Sequence, residues 1–156
     1  MSSIKPLTTI DLDTILRSTS VTRGKYLGSF PSCVKPMTKK KMYSFILNTD
    51  NHYNGGEHWC AWVVRGDSIS FFDSFGREPW DSTLPIDFQN IVADYNHVQY
   101  TNTRIQDWAS ETCGYFCIHF IYVLCLGLDY ENFLSEYSND RMYNDYVTFD
   151  FFNSVI

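Results

Sequence analysis

The strongest constraint on the fold is a pair of apolar segments joined by a short polar turn. Residues 58–64 and 69–73 are rich in Trp, Val, Ile and Phe, which favour β-strands. Between them lies the sequence Arg-Gly-Asp-Ser at residues 65–68, a composition typical of tight turns. The pattern therefore predicts an antiparallel hairpin in the middle of the chain.

One register of this hairpin brings a histidine and a carboxylate together. Pairing of Val64 with Ile69 across the turn places Cys60 opposite Asp73. His58 then lies on the same strand face as Cys60, diagonally across from Asp73 and within reach of its side chain. A shift of one residue would move Asp73 to the other face. We predict the first register, in which the carboxylate orients the imidazole and stabilises the imidazolium.

The rest of the chain predicts one α+β domain over residues 1–156, with a small mixed sheet packed against a central helix. Apolar residues spaced by three and four positions indicate helices, and shorter apolar runs indicate strands. The tail over residues 142–156 is apolar without a clean period and is left unassigned. The other expected elements are helices over 8–16, 87–95, 113–127 and 129–137, strands over 42–47 and 97–105, a loop rich in Gly, Ser and Pro over 18–36, and a polar loop over 48–57.

Charge and cysteine content limit the classes of partner and compartment. The chain has 12 basic and 18 acidic residues, a net charge of −6, so nucleic-acid binding is disfavoured. The one basic run, residues 39–41, is interpreted as a solvated lead-in to a strand. Five cysteines and a start without an apolar signal indicate a reducing compartment and no secretion. The longest apolar run, residues 115–128, is too short to cross a bilayer, so no membrane association is expected.

Cys113 is the predicted nucleophile. It follows Ser, Glu and Thr at residues 110–112, which can cap a helix, so it falls in the first turn, where unpaired N–H groups favour a thiolate. His58 is the predicted base. Gln106, seven positions earlier, could donate to an oxyanion together with the N–H of Cys113. Gly114 would let a substrate backbone approach, and Trp59 is expected to line the cleft.

Each of these residues also has a purely structural interpretation. Cys113 could be an ordinary buried cysteine, His58 a hydrogen-bonded strand histidine, Asp73 a turn cap over residues 74–76, and Gln106 a surface or cap residue. A zinc site is a further alternative, because Cys113 and Cys117 share a helix face and His119 and Cys125 lie nearby in sequence. At helical spacing, however, His119 points away from the face that carries Cys113 and Cys117. We therefore expect no metal, and assign these three side chains to packing: Cys117, His119 and Cys125.

Four segments in order carry a family resemblance. They are residues 55–59 (Gly-Gly-Glu-His-Trp), residues 72–76 (Phe-Asp-Ser-Phe-Gly), Gln106 and residues 112–117 (Thr-Cys-Gly-Tyr-Phe-Cys). Together they resemble the adenain clan, which contains the adenovirus maturation protease and, more distantly, the SUMO and ubiquitin-like deconjugating proteases. The resemblance covers roughly residues 24–126. It implies a papain-like fold and cleavage of peptide bonds after small, often Gly-containing sequences.

It further implies catalytic roles for its four matched residues. These are Cys113 as nucleophile, His58 as base, Asp73 as orienting acid and Gln106 as oxyanion donor. The acid is Asp, as in the deconjugating branch, where adenovirus enzymes commonly have Glu.

The DNA and disulfide-linked peptide that activate the adenoviral enzyme are not expected here. The chain is acidic, and it has no cysteine between Cys60 and Cys113, where the disulfide partner would be expected. We therefore expect no cofactor, and an activating peptide is left open.

The resemblance suggests a cysteine endopeptidase that matures viral capsid or core precursors. A virophage, a Maverick/Polinton-type element or another double-stranded DNA virus would suit a chain this compact. The expected location is the virion and the infected host cell, and the expected state is a monomer. Two alternatives stay open: a ubiquitin-like or SUMO-type deconjugating protease, and a non-catalytic virion scaffold that binds a partner protein through the same groove.

Overall fold

The computed structural model describes residues 4–50 and 58–156, which form a five-stranded mixed sheet with helices on both faces. This is the predicted class, a small sheet packed against a central helix that begins at Cys113. The elements are α1 (Thr9–Ser18), β1 (Tyr26–Phe30), β2 (Met42–Asn48), β3 (Trp59–Arg65), β4 (Ser68–Phe72), α2 (Ile86–Val92), β5 (His97–Gln99), α3 (Cys113–Cys125), α4 (Tyr130–Leu134) and α5 (Arg141–Val155).

The sheet has the order β1-β2-β3-β4-β5. Its three central strands are antiparallel, and each edge strand runs parallel to its neighbour. In the central hairpin Val64 pairs with Ile69 and Ala61 pairs with Phe72, which confirms the predicted register. Because side chains alternate along a strand, this register decides which residues of the hairpin share a face.

Two apolar layers cover the two faces of the sheet. On one face, α3 packs against alternate residues of β3, among them Ala61 and Val63, with Phe116 and Phe120 wholly buried. On the other, α2 covers a second layer built around Trp62. Nearly every residue of α3 is buried, so this helix forms the centre of the molecule, and it ends before Gly127 as predicted.

Two sequence-based assignments were wrong. The expected loop over residues 18–36 contains the edge strand β1, which pairs with β2. A glycine within this strand and a register shift beside it break the alternation that identifies strands. The expected strand over 97–105 is ordered as a strand only at His97–Gln99. The unassigned tail forms α5, and residues 51–57 of the expected polar loop lie outside the described residues.

The described residues also bear on redox state and on membranes. All five cysteines lie in the described part, and no disulfide joins any of them. None of the helices in residues 4–50 and 58–156 combines the length and the apolar character needed to span a bilayer.

Candidate active site

His58 and Asp73 meet at one end of the hairpin, as the register predicted. His58 immediately precedes β3, and Asp73 immediately follows β4. The Nε2 atom of His58 lies 2.5 Å from Oδ1 of Asp73, and both side chains are buried. The strand pairing alone sets this contact, since the two residues occupy neighbouring positions on one face of the sheet.

Cys113 lies beside this pair at the first position of α3. The residue is partly exposed, and its thiol is close enough to His58 to affect the pKa of the imidazole. Because Asp73 occupies Nε2 of His58, Nδ1 is the ring nitrogen left for the sulfur. Burial disfavours the charged imidazole, but the hydrogen bonds to Asp73 and Cys113 outweigh burial and raise the pKa of His58 to about 9.

Asp73 is held from two sides. Its Oδ1 accepts from the backbone N–H of Phe75 at 3.1 Å as well as facing His58, and its Oδ2 accepts from Nε of Arg77 at 2.7 Å. Burial favours the neutral acid, but the hydrogen bond and charge of His58, together with Arg77, hold the pKa of Asp73 below its usual value. The carboxylate therefore contacts the imidazole and also caps the turn that follows it.

A stack of rings covers the imidazole. Phe75 lies parallel to His58 with ring centroids 4.5 Å apart, and Trp108 stacks on Phe75 at 4.8 Å. The guanidinium of Arg104 lies 4.4 Å from the Trp108 ring. Trp108 is itself 64% exposed. The stack therefore covers one face of the buried imidazole.

Gln106 lies on the segment that leads into α3, and its amide is fixed at both ends. Its Oε1 accepts from the hydroxyl of Ser74 at 2.5 Å, and its Nε2 donates to the carbonyl of Ser110 at 2.9 Å. An amide nitrogen carries two N–H bonds, so a second donor is left for another acceptor. The predicted oxyanion residue is thus positioned by the residue that follows Asp73.

Gly76 permits the close approach of this segment to the Asp73 turn. It has a φ of +76°, and a Cβ there would lie 2.6 Å from the backbone nitrogen of Arg104. Any side chain would therefore push the two segments apart.

Thr112 occupies the N-cap position of α3 but makes no side-chain capping bond. The expectation that residues 110–112 cap the helix is therefore wrong for Thr112. Its hydroxyl instead donates to Oδ1 of Asp145, a residue of α5, at 2.9 Å. Burial raises the pKa of Asp145, although hydrogen bonds from Thr112 and Ser110 oppose that rise.

The two residues predicted to contact substrate, Trp59 and Gly114, both lie against Leu7, in the segment that precedes α1. Trp59 is only 7% exposed, and its indole N–H donates to the carbonyl of Leu7 at 3.4 Å. A Cβ on Gly114 would lie 3.1 Å from Cβ of Leu7. Their role in substrate binding stays a prediction, and a substrate reaching either residue would have to displace Leu7.

One group of potential metal ligands occurs within the described residues. Ligand atoms of His58, Cys60 and Asp73 lie within 4.8 Å of one another. Burial raises the pKa of the Cys60 thiol well above its usual value, and the other two side chains already bond each other, so this set is poorly prepared to hold an ion. The absence of a resident metal stays a prediction.

The three residues considered for zinc are packed separately. Cys117 donates to the carbonyl of Trp59, and His119 hydrogen bonds with the hydroxyl of Tyr137 and stacks on Phe151 at 4.0 Å. Burial lowers the pKa of His119 to about 4, as expected for a neutral core histidine. Cys125 is buried at the far end of α3. They belong to the core, as the helical spacing indicated.

Sequence reasoning missed several supporting residues. No local pattern pointed to Arg77, because residues 73–77 form a turn and the pairing of opposite charges four residues apart is a rule for helices. Ser74 and Phe75 stood inside a recognised segment but were given no role. Nothing in the sequence pointed to Asp145, because it reaches the site from a helix that was not recognised.

Viral proteins that are named proteases are similar to most of the chain. The sequence is 30% identical over 129 residues to the protease of snake adenovirus serotype 1, covering 72% of this chain and 62% of that protein. It is 30% identical over 112 residues to a SUMO-1 cysteine protease of African swine fever virus, covering 65% of this chain and 41% of that protein. The chain thus spans less than two thirds of the length of either relative. No family model matches the sequence.

The fold is also found among solved structures. The crystal structure of an African swine fever virus protease superposes with a TM-score of 0.61 at 21% identity, over 92% of this chain and 66% of that one. At this identity the match establishes the fold. The fold is therefore the α+β fold of that protease, and its site brings together a histidine, a carboxylate and a cysteine. In sequence, the chain is similar to the adenain-like cysteine proteases, as the motifs around His58 and Cys113 predicted.

Proposed function

We propose that this chain is a cysteine endopeptidase with Cys113 as nucleophile, His58 as base, Asp73 as the orienting acid and Gln106 as an oxyanion donor. The observation that carries the proposal is the buried contact of His58 with Asp73 beside the partly exposed thiol of Cys113. A nucleophile, its base and a third group that orients the base are the parts that covalent acyl transfer requires.

In the proposed mechanism, the thiol proton of Cys113 resides on His58 and the thiolate attacks the scissile carbonyl carbon. A C–S bond forms, and the carbonyl electron pair moves to oxygen, where Nε2 of Gln106 and the backbone N–H of Cys113 donate hydrogen bonds. The imidazolium then gives its proton to the leaving amine as the C–N bond breaks. A water molecule then attacks the thioester carbon while His58 takes its proton, the C–S bond breaks, and the acid product leaves behind the starting pair of thiolate and imidazolium.

The proposed substrates are viral capsid or core precursor proteins, cut at small, Gly-containing sites in the virion and the infected cell. The adenovirus relative and the partly exposed nucleophile support this choice. Incubation of the protein with candidate capsid precursors, followed by mass spectrometry of the fragments, tests it. Cuts that follow Gly-containing sequences are expected, and intact precursors in the presence of a reactive Cys113 would exclude this substrate class while leaving the thiol chemistry standing.

Peptide hydrolysis should fall as the pH rises through about 9. With a pKa of about 9, His58 keeps its proton at neutral pH and loses it above that value, so the leaving amine is no longer protonated. Measurement of kcat/KM on a fluorogenic peptide from about pH 6 to about pH 10 should give a basic limb near this value. Alkylation of Cys113 needs only the thiolate and should stay fast there. A basic limb near neutrality would contradict the protonation state assigned to His58.

A second candidate is removal of a ubiquitin-like modifier. Two observations favour it: the acid is Asp73, as in the deconjugating branch, and one relative is a SUMO-1 cysteine protease. Vinyl-sulfone probes made from SUMO and from ubiquitin separate the candidates, because they label a nucleophile only when the modifier docks. Labelling of Cys113 by either probe would support deconjugation. Failure of iodoacetamide to modify Cys113 ahead of the other cysteines would favour a non-catalytic partner-binding protein instead.

A further inference from the structure

The segment that carries the oxyanion donors is held in place by the last helix. We name residues 104–112 the Gln106 segment; it joins β5 to α3 and contains no helix or strand. At the Asp73 turn, the backbone N–H groups of Ile105 and Gln106 donate to the carbonyl of Ser74, and the Ser74 hydroxyl donates to Oε1 of Gln106. Those bonds secure only its first half. In the second half, Gln106 bonds the carbonyl of Ser110 and Trp108 stacks on Phe75, while the last residue, Thr112, is bound by α5.

Three polar side chains on one face of α5 bind this segment. Arg141 donates to the carbonyl of Arg104 at 3.1 Å, and Asn144 donates to the carbonyl of Ile105 at 3.0 Å. Asp145 accepts from the hydroxyl of Thr112 at 2.9 Å. The residues are spaced i, i+3 and i+4, so they project from neighbouring positions of the helix. Arg141 and Asn144 therefore bind the beginning of the Gln106 segment, and Asp145 binds its end.

These contacts are buried and directional. Asn144 is wholly buried, and its amide also bonds the backbone of Ser138 on both sides, at 2.8 and 3.0 Å. Asp145 is 9% exposed and Thr112 is 2% exposed. A buried hydroxyl-to-carboxylate bond is costly to break, because neither group finds water as a substitute. The Thr112 hydroxyl also lies 3.0 Å from the hydroxyl of Ser110, and the two contacts together hold it in one geometry.

The geometry of Thr112 decides where the N–H of Cys113 points. The carbonyl of Thr112 accepts from the N–H groups of Tyr115 and Phe116, at 3.0 and 3.3 Å. This carbonyl and the N–H of Cys113 belong to one rigid peptide plane. The Thr112 side chain, which would ordinarily cap the helix, is turned toward Asp145 instead. The plane is therefore fixed by α3 on one side and by α5 on the other.

We propose that Asp145 is a positioning residue: through the Thr112 hydroxyl it orients the backbone N–H of Cys113 toward the developing oxyanion. This inference rests on the proposed function, since it assigns that N–H a part in peptide hydrolysis. Asp145 touches neither substrate nor nucleophile in this role. It acts on the transition state, where the oxyanion exists, and not on the thiolate itself.

The test compares Thr112→Val, which removes the hydroxyl at constant shape, with Thr112→Ser, which keeps it. Thr148→Val, a buried change of the same kind on α5, is the matched control. All rates are divided by the concentration of titratable Cys113, so unfolded protein does not count. For Thr112→Val we expect kcat to fall by about 10-fold to 100-fold with little change in KM. Thr112→Ser and Thr148→Val should keep the original kcat.

Two further readouts separate positioning from a general loss of structure. A peptide aldehyde ending in glycinal forms a tetrahedral hemithioacetal with Cys113, and its oxygen takes the position of the oxyanion. Its inhibition constant should therefore rise in Thr112→Val along with the fall in kcat. Alkylation of Cys113 by iodoacetamide forms no oxyanion and should change by less than about twofold. Asp145→Ala should reproduce the Thr112→Val result, and the double variant should be no worse than either single one.

An unchanged kcat in Thr112→Val, or a parallel loss of alkylation and hydrolysis, would overturn the inference. These outcomes differ from failure of the proposed function. If the unmodified protein neither binds the aldehyde nor shows a reactive Cys113, the proposed catalysis itself is wrong. If the unmodified protein is active and Thr112→Val is equally active, only the role of Asp145 is lost.

Discussion

Replacement of Cys113 by alanine should abolish peptide hydrolysis, with kcat falling on the order of 10⁴-fold or more. Three other thiols are not placed to replace it, because Cys60 and Cys117 are wholly buried and Cys125 lies at the far end of α3. The fold should survive, because Cys113 lies at the margin of the core and is partly exposed. The measurement is kcat on a fluorogenic peptide, with the thermal unfolding midpoint recorded for each variant.

Cys125→Ala is the matched control for that prediction, since it makes the same change on the same helix. It should keep full activity and lose only a small amount of stability through the missing sulfur. Persistent cleavage by Cys113→Ala would place the chemistry elsewhere. Equal losses in both variants would mean that the helix, and not its first residue, had been disturbed.

Replacement of Asp73 by asparagine should lower kcat by about 10²-fold to 10⁴-fold. An amide can present an N–H to the imidazole, which would select the wrong tautomer of His58, and it cannot stabilise the imidazolium. Arg77 would also lose its carboxylate partner, so the free energy of unfolding should fall by about 3 kcal/mol. Activity and urea unfolding are measured on the same preparation, and the basic limb of the pH profile should move to lower pH.

Arg77→Gln separates the two effects of that change. It removes the charge next to Asp73 while the contact between Asp73 and His58 is kept. We expect a smaller fall in kcat, of about tenfold, because Arg77 acts only through the carboxylate. If Asp73→Asn and Arg77→Gln lowered kcat equally, the contact with His58 would have no special part in catalysis, and the assignment of Asp73 as the orienting acid would be withdrawn.

The central part of the fold could be predicted because its physical signals are local. The turn chemistry at residues 65–68 and the pairing of Val64 with Ile69 fix the hairpin, and the hairpin places His58 beside Asp73. Likewise, the apolar run after Cys113 predicts a buried helix whose first turn carries the thiol. These inferences needed no long-range information, since each rests on neighbours in sequence or on one strand pairing.

The helix α5 could not be predicted from the sequence, because it is held by polar contacts and not by an apolar stripe. The residues that α5 buries include Asn144, Asp145 and Thr148, so the helix hides a polar face and shows no apolar period. Its contacts to Ile105 and Thr112 are hydrogen bonds across more than thirty residues of sequence, which no local pattern encodes. The same holds for Leu7, whose position over Trp59 and Gly114 follows from the tertiary fold alone.

The hairpin turn lies at the opposite end of its strands from His58 and Asp73. Seven residues of β3 separate the two ends, a distance of about 20 Å. The strand pairing, and not the turn, sets the spacing of the two side chains, so the tip at Gly66 offers an attachment point for a fluorophore or an affinity peptide. A protein immobilised there would present its cleft to the surrounding solution, which suits it to assays with large precursor particles.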